Sequence, residues 1–130
     1  MEKRTLGNTD IHTAPIVFGG NVFGWTLNKE QSFEMLDEII GSGLNTIDTA
    51  DVYSRWVDGN EGGESETIIG KWLKDRGTRD QVNIITKVGA DVGQGQRDLT
   101  EKHILKAVDD SLRRLQIDTI DLYLTHWDDR

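Results

Sequence analysis

Asp48, Tyr53, Lys87 and His126 are an acid, a phenol, an amine and an imidazole, each at or just past the end of a short apolar run. Groups of these types at successive strand ends are suited to proton transfer. An ordinary tyrosine titrates near pH ~10 and is a poor acid at neutrality. A neighbouring ammonium favours the phenolate. Lys87 is suited to that part, with Asp48 pairing to it and holding it charged and in place. His126 is suited to orienting a substrate oxygen by hydrogen bonding, or to sharing in the proton transfer. Together they read as a tuned donor for a carbonyl oxygen that becomes an alkoxide as hydride arrives at carbon. The hydride requires a cofactor, because no side chain supplies one. Taken singly, each residue has a plainer role: Asp48 as a cap or loop anchor, Lys87 as a solvated or ion-paired group, Tyr53 as loop packing, His126 as a core polar group. Their joint placement at three successive strand ends favours the chemical role.

The elements that position these groups follow from periodicity and punctuation. Thr5-Leu6-Gly7-Asn8-Thr9-Asp10-Ile11 has a turn-forming centre between β-prone pieces and predicts a hairpin over about 4–12. Ile16-Val17-Phe18-Gly19-Gly20 predicts a strand ending in two glycines. Asn28 caps a predicted helix over 29–40, whose buried face is Phe33, Leu36, Ile39 and Ile40, with Gly41 and Gly43 ending it. A strand over 44–48 follows, then a loop over 51–63 rich in glycine and charge. A helix over 65–75 should bury Ile68, Ile69, Trp72 and Leu73. A strand over 81–87, a glycine-bearing loop over 89–98, and a helix capped by Thr100 come next. That helix has the apolar stripe Ile104, Leu105, Val108, Leu112 and Leu115, and a last strand covers 119–125.

A hairpin followed by βαβαβαβ implies a parallel sheet with right-handed crossovers and packed helices. An open doubly wound sheet and part of an eight-stranded barrel both satisfy that order. In either, the working edge lies beyond the carboxyl ends of the strands, where the four polar groups fall. A complete barrel needs about 250 residues, and these 130 supply four strands and three helices, roughly half of one.

Composition narrows the function classes. Fifteen Lys and Arg against 23 Asp and Glu give a formal net charge of -8, which repels nucleic-acid backbones. No apolar run is long enough to span a membrane, and the start Met1-Glu2-Lys3-Arg4-Thr5 lacks the core of a secretory signal. With no cysteine there is neither a disulfide framework nor a thiolate metal site. A soluble cytoplasmic protein without nucleic-acid or membrane partners is expected.

Other candidates carry less. His12 near the hairpin and His103 in a first helical turn are expected at the surface. Asp128 and Asp129 with His126 form a possible oxygen–nitrogen metal set, but the spacing is not diagnostic, and no metal site is expected. Gly19-Gly20 and Gly93-Gln94-Gly95 lack the spacing of a dinucleotide fingerprint. Trp25, Trp56 and Trp127 fall in strand-end loops, where aromatics line apolar substrate pockets, and Trp72 sits in a core stripe.

At the same residues the sequence resembles the aldo-keto reductase superfamily. Arg4-Thr5-Leu6-Gly7-Asn8-Thr9-Asp10-Ile11 resembles its N-terminal hairpin, which caps the barrel floor. Ile47-Asp48-Thr49-Ala50-Asp51-Val52-Tyr53 is similar to its Asp-Thr-Ala-x-x-Tyr signature, and Ser65-Glu66-Thr67-Ile68-Ile69-Gly70 to the start of its second helix. Ile85-Thr86-Lys87-Val88-Gly89 resembles the strand carrying its lysine. Asp121-Leu122-Tyr123-Leu124-Thr125-His126-Trp127-Asp128-Asp129 resembles the strand carrying its histidine. Five such segments in order make the match specific across nearly the whole chain. One departure is Ser54, followed by a long loop over 55–63, where the family often has glycine and a shorter path.

The resemblance implies an α/β fold, the first half of a (β/α)8 TIM barrel as a single domain over 1–130, and NADPH-dependent reduction of aldehydes or ketones. It implies Tyr53 as general acid, Lys87 with Asp48 as its tuners, and His126 as the group orienting the carbonyl. Gly20, Asn21 and Asp48 are implied to lie near the nicotinamide ribose. Most of the NADPH site belongs to later strands, so this chain alone is expected to bind NADPH weakly or not at all. It is then a truncated form of low or no activity. Two alternatives compete: a non-catalytic half-barrel that binds partners or self-associates through its open edges, and a metal-dependent hydrolase built on His126 and nearby carboxylates.

Overall fold

A computed structural model describes residues 1–128; Asp129 and Arg130 lie outside the described residues. Along them run β1 (Arg4–Thr5), β2 (His12–Thr13), β3 (Phe18–Gly19), α1 (Lys29–Gly41), β4 (Thr46–Asp48), α2 (Glu64–Arg76), β5 (Asn83–Val88), α3 (Glu101–Leu115) and β6 (Leu122–Thr125). β1 and β2 pair as the expected antiparallel hairpin, Arg4 opposite Thr13 and Thr5 opposite His12. The other strands form one parallel sheet in the order β3-β4-β5-β6. That order follows the chain without reversal, so the sheet has no switch point and grows as a barrel wall does.

The ladders are shorter than the apolar runs that announce them. Pairing of β5 with β6 begins only at Ile85 and Leu122. Just before it, the Asp121 carboxylate accepts the Ile84 N–H at 2.7 Å, where a strand carbonyl would otherwise stand. Residues Arg79–Gln81 form a 3-10 turn, so β5 starts at Asn83 rather than at 81. Burial then alternates along β5: Ile84, Thr86 and Val88 are buried against the helices, while Asn83, Ile85 and Lys87 share the other, partly open face.

α1 starts at a reciprocal cap, with Asn28 accepting the Gln31 N–H and Gln31 accepting the Asn28 N–H. α2 starts one residue earlier than its apolar stripe predicts. Gly63 precedes it with φ 85°, and the Glu64 carboxylate gathers the N–H groups of Glu61 and Gly62. Ile47, Ile84, Ile69, Trp72, Leu36 and Leu115 form the core between sheet and helices. Burying an aliphatic side chain of this size contributes roughly 1.5–3 kcal/mol. Trp72 is enclosed as expected, its indole N–H donating to Asp37 Oδ1 at 2.8 Å.

α3 departs from its predicted packing. Of the stripe Ile104, Leu105, Val108, Leu112 and Leu115, only Leu115 is fully buried, and Leu105 is 59% exposed. Ala107 and Ser111 are buried in their place. The cause is close approach: a Cβ on Gly70 of α2 would lie 2.2 Å from the Arg114 carbonyl oxygen. Backbones that near admit only the small-residue face of α3.

The hairpin is tied to the amino ends of the parallel strands. Asn45 accepts the Ala14 N–H at 2.9 Å and donates to the His12 carbonyl at 2.8 Å, and Asn83 donates to the same carbonyl at 2.9 Å. It therefore closes the end opposite the strand carboxyl termini, leaving the latter open. Among the described residues no helix is long and apolar enough to cross a membrane.

Candidate active site

Three strand ends and one turn bring the polar groups together. Asp48 closes β4, and Lys87 lies one residue before the end of β5 in the neighbouring register. Tyr53 sits in a run of turns after β4, its N–H bonded to the Ala50 carbonyl at 3.2 Å. His126 follows β6 directly, its N–H donating to the Val88 carbonyl at 2.7 Å. That bond continues the β5–β6 ladder by one rung, which fixes where the imidazole leaves the sheet.

Lys87 is the hub. Its Nζ donates to Asp48 Oδ2 at 2.8 Å, to the Thr49 carbonyl at 2.7 Å and to Tyr53 Oη at 3.0 Å. The ammonium's three protons are thus all committed. The Tyr53 hydroxyl also reaches Asp48 Oδ2 at 3.4 Å. The Lys87 and Asp48 side chains are only 14% and 23% exposed, so their attraction is screened less than that of a surface pair. The Tyr53 oxygen therefore lies against a fixed positive charge. His126 packs edge-to-face on Tyr53, ring centroids 6.0 Å apart. Its Nδ1 is buried without a hydrogen-bond partner. Burial, assisted by the Lys87 charge, holds the imidazole below its ordinary pKa, so it is neutral at neutral pH. All four residues are brought together on one side of the strand ends.

The loop after Tyr53 explains the departure at Ser54. This residue has φ 71°, the left-handed region where glycine is favoured, and it compensates with a 2.7 Å hydrogen bond from Oγ to the Phe23 carbonyl. Asn60 completes the tie by donating to the Ser54 carbonyl at 3.0 Å and the Gly24 carbonyl at 3.1 Å. The long loop is thereby bound to the segment after β3, and it carries Trp56 up against Trp25 and Tyr53. Trp25, Trp56 and Trp127 are all substantially exposed at this edge.

Gly20 and Asn21 open the 3-10 turn Gly20–Val22 that follows β3. A Cβ on Gly20 would come within 3.0 Å of the Asp48 carbonyl oxygen, which places this turn directly against the end of β4. The Asn21 amide makes no hydrogen bond among the described residues, and the Lys87 and Tyr53 contacts on Asp48 use only Oδ2. An uncommitted carboxylate oxygen beside the tyrosine and an uncommitted amide in the adjoining turn are groups that can accept from or donate to hydroxyls. Residues 20 and 48 thus meet at one edge of the site, with Asn21 next in the same turn.

A second group of charges escaped the sequence reading. Glu66 of α2 is fully buried, accepting from Thr86 Oγ1 at 2.6 Å and from Arg114 Nε at 2.6 Å. Its spacing from Ile69 and Leu73 puts it on the buried stripe of α2, a signal available in the sequence. Asp51 is 3% exposed, and both its carboxylate oxygens lack a hydrogen-bond partner. Burial first, and the Glu66 charge second, push its pKa up to about 7; the nearby Arg114 opposes them. With Arg114, Lys106, Asp110 and His103 it lines a cavity of 230 Å³ beside α3. The Tyr123 phenol, buried near the same acids, is held above its ordinary pKa.

His12 is exposed, as expected, with Nδ1 3.2 Å from Thr5 Oγ1. His103 is not a surface residue: its side chain is 15% exposed and Nε2 is buried. Its Nδ1 lies 3.9 Å from Asp98 Oδ2, and its ring lines a cavity together with Asp51, Gly62 and Val92, segments from the two loops beside α3. Among the described residues no three His, Asp or Glu side chains gather into a metal-binding group; Asp129 of the weighed set lies outside them.

The family model described as "Aldo/keto reductase family" matches residues 15–130. An uncharacterised 11.2 kDa protein of Pseudescherichia vulneris is 57% identical over 93 residues, covering 71% of this chain and 90% of that protein. Aldo-keto reductase YhdN of Bacillus subtilis is 36% identical over 99% of this chain and 39% of its own length. The solved holo form of an aldo-keto reductase from Bacillus halodurans superposes with a TM-score of 0.80 at 37% identity, covering 96% of this chain and 40% of that one. The chain thus spans about two-fifths of the length of these two reductases.

Proposed function

The chain belongs to the aldo/keto reductase family, and from that premise we propose that its strand ends carry the acid–base part of a carbonyl reductase, turning aldehydes or ketones into alcohols with NADPH. The single observation supporting this most strongly is the Lys87 ammonium, held by Asp48 and the Thr49 carbonyl 3.0 Å from the Tyr53 hydroxyl. When bound, the cofactor supplies the hydride. Asn21 and Asp48 would hold its ribose, and Gly20 keeps the turn carrying Asn21 close to β4.

Tyr53 gives its hydroxyl proton to the substrate carbonyl oxygen. The negative charge left on the phenolic oxygen meets the Lys87 ammonium, which costs no reorganisation because Asp48 and Thr49 already fix it. His126, neutral at working pH, hydrogen-bonds the same carbonyl oxygen and orients it. Trp56 packs edge-on against the acid, and Trp25 and Trp127 extend the apolar surface on either side through Trp56 and His126. The family's nicotinamide chemistry and the absence of cysteine make the cytoplasm the natural compartment.

Tyr53→Phe deletes one hydroxyl and leaves the packing. Whatever carbonyl-dependent NADPH oxidation the chain supports should fall by about 10²–10⁴-fold, the usual contribution of a general acid, with an unchanged circular dichroism spectrum. Reduction persisting at the unsubstituted rate would overturn the assignment of the acid.

A further inference from the structure

Five rings run in a continuous row across the open strand ends. Trp25 meets Trp56 edge-on at 5.5 Å, and Trp56 meets Tyr53 at 6.0 Å. Tyr53 meets His126 at 6.0 Å, and His126 stacks on Trp127 at 5.5 Å with only 15° between the planes. The three indoles are 50%, 49% and 41% exposed, so the row offers flat apolar faces rather than a packed interior. Such faces suit a planar ring.

Two cations touch this row. Lys87 Nζ lies 4.6 Å from the Tyr53 ring centre, and the Arg97 guanidinium lies 3.7 Å from that of Trp127. They differ in what balances them. Lys87 is paired with Asp48. Arg97 has no carboxylate partner among the described residues, and the acids near it in sequence are engaged elsewhere. Asp91 accepts the N–H groups of Gly93 and Gly95, and Asp98 accepts that of Thr100. The Arg97 guanidinium sits over the Trp127 ring and makes no side-chain hydrogen bond among the described residues, so it keeps N–H groups available, and a guanidinium can meet a carboxylate in two-point geometry. The row therefore has a proton donor near its middle and, at its Trp127 end, a cation with no ion-pair partner among the described residues, with two rings between.

We propose that the site takes aromatic aldehydes or ketones bearing a carboxylate, Arg97 receiving the carboxylate while Tyr53 and His126 hold the carbonyl. This rests on the reductase assignment for Tyr53 and His126 and adds the substrate's charge and shape. Because His126 and Trp127 stand between the two ends, the carboxylate belongs across the ring from the carbonyl rather than beside it.

The test is binding of para-carboxybenzaldehyde and of benzaldehyde to the cofactor-free chain, followed by tryptophan quenching at low salt. Para-carboxybenzaldehyde should bind about fivefold more tightly, the scale of a two-point but solvent-exposed ion pair. Arg97→Ala should abolish that preference and leave the benzaldehyde affinity unchanged, while Arg97→Lys should retain part of it. Arg97 is exposed and packs in no core, so its replacement leaves folding intact. Equal affinity for the two aldehydes, no binding of either, or a preference that survives Arg97→Ala would overturn the proposal. Neither hydride transfer nor NADPH enters this measurement. A chain that shows the Arg97-dependent preference yet never reduces the aldehyde refutes the reductase reading alone. A chain that reduces both aldehydes with equal kcat/KM and binds them equally refutes the carboxylate reading alone.

Discussion

Asp51 lies between Asp48 and Tyr53 in sequence, yet its carboxyl lines the cavity against α3, out of hydrogen-bond contact with either. The consequence is a pH dependence of stability. In the folded chain Asp51 keeps its proton up to about pH 7, whereas in the unfolded chain it releases it near 3.9. Between those values the folded state binds more protons, so stability falls as pH rises and the loss is complete above about 7. Asp51→Asn removes the penalty. Urea denaturation should show the variant and the parent nearly equal at acid pH. Above neutrality the variant should be more stable by roughly 1–4 kcal/mol, the upper figure being the full shift at about 1.4 kcal/mol per unit. Equal stabilities at high pH would mean that Asp51 ionises freely. Lys87 and Asp48, by contrast, neutralise one another across a 2.8 Å ion pair, and this is why one charge is a hub and the other a liability.

At the scale of elements, the contact of α2 with α3 decides most of what the sequence pattern did not. Gly70 lets the backbone of α3 approach, and Arg114 reaches back from α3 to Glu66. A methyl at Gly70 would meet the Arg114 carbonyl and the Leu115 backbone, neither of which is the flexible end of a side chain. Gly70→Ala should therefore cost more than the roughly 0.5–1 kcal/mol that a helix interior gains from alanine, with a net loss of about 1–3 kcal/mol in thermal or urea unfolding. A stabilised variant would show that the two helices do not pack this closely. Arg114→Leu acts differently, since it strands the Glu66 carboxylate inside the core. Breaking a buried pair in this way costs about 3–5 kcal/mol, measurable by the same denaturation. The site was more legible than these contacts. Asp48, Lys87 and His126 sit at ends that strand patterning already marked, and period-two alternation put Lys87 with Ile85 on the open face. The α3 stripe was misread because amphipathic spacing reports which residues are apolar, not how near a neighbouring helix comes.

For the whole molecule, the sheet has open sides among the described residues: β3 pairs only with β4, and β6 only with β5. Ile16, Val17, Leu105 and Leu124 are exposed beside these edges and on α3. Unpaired strand edges flanked by apolar surface favour association. Light scattering across a concentration series should find a mass above that of one chain, rising with concentration. A monodisperse monomer at high concentration would show that these edges are protected as they stand.

What the sequence determined by itself was the order of elements, the parallel sheet, and the identity of the four groups at its carboxyl ends. Those follow from local periodicity and from residue chemistry, which survive without knowledge of packing. The tertiary structure alone decided that Lys87 spends its protons on Asp48, Thr49 and Tyr53 together. It also decided that Asp51 is buried without a partner, and that Arg97 ends an aromatic row. Each depends on the distance between segments far apart in the chain, set by sheet register, by Gly70 and by the Ser54 tie, and no local pattern encodes such a distance.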